Sequence, residues 1–378
     1  MDAPRRLPLF DIKAEQAGFA PELRRRLDAV LAHCQFILGP EVAELEERLA
    51  ALSGARHCIG ISSGTDALLI ALMAEGVGKG DAVFLPAFTY TATAEVPLLL
   101  GATPVFVDID PRTFQIDPAD LRRRIAAVRM AGKLLPRALI GVDLFGQPAD
   151  WASLGEIVRA EGLFSLDDCA QSFGATFRNR RLGTLADATA VSFFPTKPLG
   201  GYGDGGALFT ESDDRAALYR SLRSHGEGTT RYEVLRIGIN GRLDTLQAAV
   251  LLAKLTGFDA ALAARERIAR CYDRLLSGLV KTPARVPDST SVWAIYSVLL
   301  PDSETRTRVQ VALTAARIGS NIYYPRPLHR QPAYAAHHDG PDLPVSDAVA
   351  ARILALPMHP GVEEPDIERI AEVLRAVL

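Results

Sequence analysis

The sequence predicts an α/β fold, with a large domain on a mostly parallel sheet followed by a smaller α+β C-terminal domain. Three observations carry this reading. Between residues 58 and 210, short β-rich runs alternate with helical patterns, as strands joined by crossover helices do. Past Arg242 that alternation stops and a long helical pattern takes over. A chain of 378 residues is also long for one core, so two domains are expected: 1–255, with an N-terminal arm, and 256–378.

The strands fall, in order, at 57–61, 82–86, 104–108, 137–143, 163–167, 188–193 and 206–210, each a short apolar run. Between them, 66–75, 91–100, 118–129 and 151–161 are long enough for helices and carry helical spacing. The pattern from 243 to 276 is helical with Gly257 as its break. A strand at 291–300, a helix at 304–318 and terminal helices at 345–354 and 364–377 complete the smaller domain.

Composition narrows the function classes. Hydrophobic residues make up 48% and charged residues 23%, ordinary for a globular protein. The net charge of −3 supplies no basic field for nucleic acid or an anionic membrane, and Arg122-Arg123-Arg124 reads as the solvated face of a helix. The first ten residues lack the apolar region of a signal peptide. The longest apolar stretch, 96–107, is too short to span a bilayer and is interrupted by Gly101 and Pro104. Four cysteines (Cys34, Cys58, Cys169, Cys271) stand far apart without CxxC spacing, so neither a metal site nor a disulfide framework is expected, and a cytoplasmic location is.

The most informative segment runs from Ser192 to Gly206, where Lys197 stands between an apolar strand and a glycine-rich turn. An amine held out of water has a lowered pKa and an available lone pair, as a Schiff-base lysine needs. Two familiar motifs fail on context. Gly201-x-Gly203-x-x-Gly206 matches the dinucleotide fingerprint, but its last glycine opens a strand-like run where a helix should begin. Gly60-Ile61-Ser62-Ser63-Gly64 matches the nucleophile elbow of hydrolases, yet it follows the first sheet strand, too early, and no oxyanion loop accompanies it.

The same turn serves better as a phosphate cradle, with Gly64 and Thr65 at a helix N-terminus where the dipole favours an anion; simple N-capping is equally compatible. Asp168, at the end of an apolar strand, has the position to pair with a cationic ring nitrogen, or to act as a helix cap or metal ligand. Tyr90 follows another strand and offers either a stacking face or a packed aromatic. Ser192 ends a strand five residues before Lys197 and has a hydroxyl to give a phosphate. Together they supply an anion cradle, a stacking face, an acid and an amine in one α/β domain.

Long segments then resemble a known family. They are 36–42 (FILGPEV), 63–68 (SGTDAL), 167–175 (DDCAQSFGA), the lysine run, and 240–249 (NGRLDTLQAA). These segments resemble the DegT/StrS sugar aminotransferases, pyridoxal-phosphate-dependent enzymes of fold type I. The resemblance implies that Lys197 binds the cofactor aldehyde and shuttles the proton. It gives Asp168 the pyridine nitrogen, Gln171 the ring's phenolic oxygen, Tyr90 the stacking face, and Gly64, Thr65 and Ser192 the phosphate. It implies a homodimer in which Asn240 reaches the neighbouring cofactor's phosphate and Arg242 faces substrate. Glutamate is the implied donor and a keto group on a nucleotide-linked sugar the acceptor. Relatives with histidine in place of this lysine are dehydratases, so Lys197 favours amino transfer.

Within the group, 238–244 and 325–332 look most like enzymes that aminate C3 of a UDP-linked 2-acetamido-3-keto-hexuronic acid, with Arg242 suited to the uronate carboxylate. The expected substrate-binding set is Arg242, Tyr323, Tyr324 and His329. Two departures stand near that pocket: Tyr323-Tyr324-Pro325 where His-Tyr-Pro is usual, and Ile295 where glutamine is common. A dTDP-3-keto-6-deoxyhexose is the competing acceptor, and a cofactor-binding regulator without turnover the competing function.

Overall fold

The computed structural model describes residues 5–230, 232–338 and 340–378; the first four residues of the expected N-terminal arm lie outside these. Three helices come first: α1 (Ile12–Ala17), α2 (Ala20–His33) and α3 (Pro40–Ser53). The latter two carry proline in the first turn, where no N–H is needed, and end on left-handed Cys34 and Gly54.

The sheet region then alternates: β1 (His57–Ile61), α4 (Gly64–Ala74), β2 (Asp81–Pro86), α5 (Ala92–Leu99), β3 (Thr103–Val107), α6 (Pro118–Ala131), β4 (Leu135–Val142), α7 (Trp151–Glu161) and β5 (Phe164–Asp168). A two-residue hairpin, β6 (Thr176–Phe177) and β7 (Arg180–Arg181), precedes β8 (Ala188–Ser192), β9 (Gly206–Thr210) and α8 (Asp213–Leu222). The seven-stranded sheet has the order β1-β9-β8-β5-β4-β2-β3. All neighbours are parallel except β9, which pairs antiparallel with both β1 and β8. Because β2, β5 and β8 run the same way, their carboxyl ends deliver Tyr90, Asp168 and Ser192 to one edge, where open α/β sheets bind ligands. Gly206 opens β9 opposite Ser192, which settles the rejected dinucleotide motif.

Beyond the sheet come α9 (Thr245–Leu255), α10 (Phe258–Leu275), β10 (Tyr296–Leu299), α11 (Ser303–Ala315), α12 (Pro344–Arg352), β11 (Ile353–Leu356) and α13 (Glu364–Val377). Gly257 breaks the long helical pattern, as its sequence position predicts. Two expectations need correction. The strand expected over 291–300 is only Tyr296–Leu299, since Trp293 takes φ 50 and interrupts the extended run. The helix expected to reach 354 stops at Arg352, and Ile353–Leu356 pairs antiparallel with β10.

Two apolar layers sandwich the sheet, one including Ile59, Ile70 and Leu85, the other Leu45, Phe84 and Phe209. A separate core gathers Ile268, Tyr272, Tyr296, Val298, Leu313 and Ile370. Leu7, from the N-terminal arm, packs into that C-terminal core. Among the described residues no single helix is long and apolar enough to cross a membrane.

Candidate active site

The carboxyl edge of the sheet opens into a cavity of about 400 Å³. Lys197 lies in the turn after β8, its backbone N–H donating to Phe194 O at 2.8 Å, and its side chain is half-buried against the cavity. Burial lowers the amine's pKa, and the negative field of Asp168 opposes that shift. Asp168, buried at the end of β5, accepts from Thr93 Oγ1 and from Ala170 N, each at 3.2 Å. Its own pKa is raised by burial and pulled back by Ala170 N–H, Lys197 and Thr93.

Across the cavity, the first turn of α4 supplies Gly64 and Thr65. Ser63 caps the helix by accepting from Asp66 N at 3.0 Å, a contact worth about 1 kcal/mol. Ser62 donates to Asp66 at 2.5 Å, so the hydroxyl of the elbow-like motif is committed to a structural bond. A side chain at Gly64 would place its Cβ 2.7 Å from Ser192 Cβ, so glycine is what lets the helix N-terminus and Ser192 share one anion-sized cradle.

Gln171 Oε1 accepts from Phe145 N at 2.9 Å, which turns its amide nitrogen toward Tyr324 Oη, 3.3 Å away. Tyr324 and Tyr323, joined by a cis peptide, line the cavity with Tyr90, whose ring is 6.3 Å from that of Tyr324. Burial raises the Tyr324 phenol's pKa.

Gly64, Thr65, Tyr90, Asp168, Gln171, Ser192, Lys197, Tyr323 and Tyr324 therefore meet around one cavity. Three expected residues do not join them within a single chain. Asn240 is exposed, its backbone bridged to Ser224. Arg242 is bridged to Ile61, with no hydrogen-bond partner for its Nε among the described residues. His329 does not line the cavity: Leu328 N donates to Ala87 O at 2.7 Å, and the short turn that follows buries the imidazole. There its Nε2 lies 3.4 Å from Asp347, away from the cavity.

Sequence reading missed Thr93, which holds Asp168, and Phe10, Thr196 and Asp204 on the cavity wall. A hydroxyl one turn after the Tyr90 loop was a readable signal for Thr93; nothing local marks Phe10. Behind Asp168, Asp143 accepts from Ala149 N, Trp151 Nε1 and Ser172 Oγ at 2.7, 3.0 and 3.0 Å. Asp167 Oδ1 lies beside it with no such donor among the described residues.

A buried amine of lowered pKa, an acid and an anion cradle around one cavity define a pyridoxal-phosphate site of the aminotransferase type, and the residues present fit that cofactor. The chain belongs to the DegT/DnrJ/EryC1/StrS aminotransferase family, whose profile matches residues 19–375. It is 44% identical over 369 residues (97% of this chain, 99% of the relative) to UDP-2-acetamido-2-deoxy-3-oxo-D-glucuronate aminotransferase of Pseudomonas aeruginosa. A pleiotropic regulatory protein of Geobacillus stearothermophilus is 41% identical (98% and 99% covered). UDP-N-acetyl-3-dehydro-alpha-D-glucosamine 3-aminotransferase of Acidithiobacillus ferrooxidans is 38% identical (98% of each). The crystal structure of a DegT DnrJ EryC1 StrS aminotransferase from Brucella abortus superposes with TM-score 0.95 at 44% identity (98% and 99% covered). That of NtdA from Bacillus subtilis, with bound cofactor PMP, superposes with TM-score 0.88 at 27% identity (100% and 85% covered).

Proposed function

We propose that this chain moves an amino group from glutamate to C3 of a UDP-linked 2-acetamido-3-keto-hexuronic acid. The observation that carries the reading is the convergence of Lys197, Asp168 and the Gly64–Ser192 cradle on one cavity. The sugar rests on two relatives whose names specify UDP-linked 3-keto acceptors, one of them a uronate.

Pyridoxal phosphate supplies the electron sink that lets a C–H bond beside nitrogen ionise. The residues do the rest. The α4 N-terminus, Ser192 and the Thr65 hydroxyl would hold its phosphate, and Tyr90 would offer a face to its ring. Asp168, whose carboxylate accepts from Thr93 Oγ1 and Ala170 N, would hold a proton on the ring nitrogen. Gln171, whose Nε2 donates to Tyr324 Oη, would offer its remaining amide N–H to the phenolic oxygen. Lys197 Nζ, whose pKa burial lowers, would be the nucleophile that holds the cofactor's aldehyde carbon. The Lys197 Nζ, facing the cavity, would also be the base that takes a proton from the donor carbon and gives it back, and it would move the proton the opposite way for the acceptor.

Asn240 and Arg242 act in a homodimer, reaching a second copy's cavity, where Arg242 meets the uronate carboxylate with a planar pair of donors. Their exposed surroundings support this: Tyr232, Leu235 and Ile237 are 77%, 55% and 84% exposed, an apolar surface that a second copy would cover. The test is an acceptor panel with glutamate as donor. The 3-keto uronate is expected to give the highest kcat/KM, above UDP-2-acetamido-3-keto-glucose and a dTDP-3-keto-6-deoxyhexose. Preference for the deoxyhexose would overturn the uronate assignment. A second reading, a cofactor-binding regulator, is favoured by the 41% identical regulatory relative; it predicts no turnover with any acceptor.

A further inference from the structure

The arm that begins the described chain crosses from the C-terminal core to the lysine loop, and on the way it delivers an aromatic ring to the cavity. At one end Leu7, 1% exposed, donates from its N–H to Arg317 O at 3.0 Å and accepts from Gly319 N at 2.8 Å. Leu9 O accepts from Met358 N at 3.2 Å. At the other end Asp11 caps α1 by accepting from Ala14 N at 2.9 Å, and Tyr202 Oη donates to Gln16 Oε1 at 2.9 Å. Glu15 lies 3.6 Å from the buried Arg265 guanidinium. Phe10 is thus fixed between two anchored segments, half-buried, and lines the cavity whose wall also includes Ala294, Ile295 and Tyr323.

The close seat of the arm depends on a glycine. A Cβ at Gly319 would stand 2.7 Å from Leu9 N and 3.3 Å from Pro8 C, so any side chain there displaces the segment that carries Phe10.

We infer that Phe10 is a specificity-determining residue, its ring forming the apolar wall on which the C–H face of the acceptor's hexose packs. The chemistry of the lining divides in two. Ser192, Asp168, Gln171 and Lys197 are polar and belong to the cofactor in the function proposed above, on which this inference rests. Phe10, Ala294 and Ile295 are apolar and offer nothing to a phosphate or a ring nitrogen. A pyranose has an apolar face to set against them, and aromatic rings contribute large contact area at small conformational cost. Glutamate, short and charged, has no comparable face.

The experiment compares wild type, Phe10→Ala, Phe10→Leu and Gly319→Ala, all loaded with cofactor. Calorimetry measures binding of UDP and of UDP-N-acetylglucosamine. Absorbance follows the glutamate half-reaction, and steady-state kinetics give KM for the keto-sugar acceptor. For Phe10→Ala, UDP-N-acetylglucosamine binding is expected to weaken about tenfold and the acceptor KM to rise in step, the scale of losing a hydrophobic wall. UDP affinity and the glutamate half-reaction should change by no more than about twofold, since neither involves that wall. Phe10→Leu should recover most of the loss, and Gly319→Ala should reproduce its direction with Phe10 intact. Equal weakening of UDP and UDP-N-acetylglucosamine, or no weakening of either, overturns the inference. If wild type fails to react with glutamate, the proposed function falls, while the contrast between the two nucleotides still decides whether Phe10 holds a sugar.

Discussion

Asp168 and Lys197 line the same cavity, and the carboxylate raises the amine's pKa against the burial that lowers it. Desolvation is the larger influence, so the amine titrates below the ordinary lysine range of about 10.4.

That balance has a measurable sign. Capture of added pyridoxal phosphate by cofactor-free protein requires the neutral amine, so its rate rises with pH to a plateau. Asp168→Asn removes the opposing field and moves the midpoint of that rise to lower pH. Stopped-flow absorbance across a pH series checks it; a midpoint that stays or moves up contradicts the coupling. The same variant cannot hold the ring-nitrogen proton and should lose roughly 10²–10⁴-fold in turnover.

The Gly64–Ser192 approach predicts a steric lesion confined to the cradle. Gly64→Ala sets a Cβ 2.7 Å from Ser192 Cβ, so the α4 N-terminus and Ser192 must part. Cofactor affinity, measured by equilibrium dialysis, should fall at least about tenfold, equivalent to ~1.4 kcal/mol. Ser192→Ala, which removes only one hydroxyl, should cost about 1 kcal/mol of binding. An unchanged affinity in Gly64→Ala would remove the phosphate from this turn.

Asp143 and Asp167 form a buried carboxyl pair behind Asp168. Asp143 accepts from three donors and Asp167 only from Thr189 Oγ1, at 3.4 Å, among the described residues, so the buried charge is better supported on Asp143 and a proton on Asp167. Burial raises both pKa values above the ordinary aspartate value of about 3.9. A raised folded pKa means stability that is full below the unfolded value and is lost as pH climbs toward the folded one. Asp167→Asn keeps the shape without the titration, so its Tm should fall less between pH 5 and pH 8 than that of wild type. A steeper fall in the variant would place the charge elsewhere.

The proposed dimer makes a prediction at Ile237, which is 84% exposed in the single chain. On a free surface Ile237→Asp would cost within about 0.5 kcal/mol. In a buried interface it would leave an unpaired charge and dissociate the dimer. Analytical ultracentrifugation should show wild type at twice the chain mass and the variant at the chain mass, with activity lost. A monomeric wild type would leave Asn240 and Arg242 without their role.

The sheet was legible because its strands are short apolar runs and its helices have room for several turns between them. Lys197, Asp168 and the Gly64 turn were legible because each stands at the end of such a run, where α/β sheets place their chemistry. What escaped depends on tertiary pairing. Ile353–Leu356 follows α12 without a turn residue and becomes a strand only by pairing with β10. Phe10 reaches the cavity through bonds to Arg317, Gly319 and Met358, all distant in sequence. His329 sat in a segment whose neighbours Tyr323 and Tyr324 do line the cavity, and one short turn redirected it inward.

In the proposed function, Lys197 carries a cofactor that exchanges amino groups with glutamate. Absorbance spectroscopy of the loaded protein decides it. Wild type should show the visible band of lysine-bound pyridoxal phosphate, lose it on addition of glutamate, and regain it on addition of the keto-sugar acceptor, while Lys197→Ala binds the cofactor without that band. A wild-type spectrum that glutamate leaves unchanged would rule out amino transfer from glutamate at Lys197.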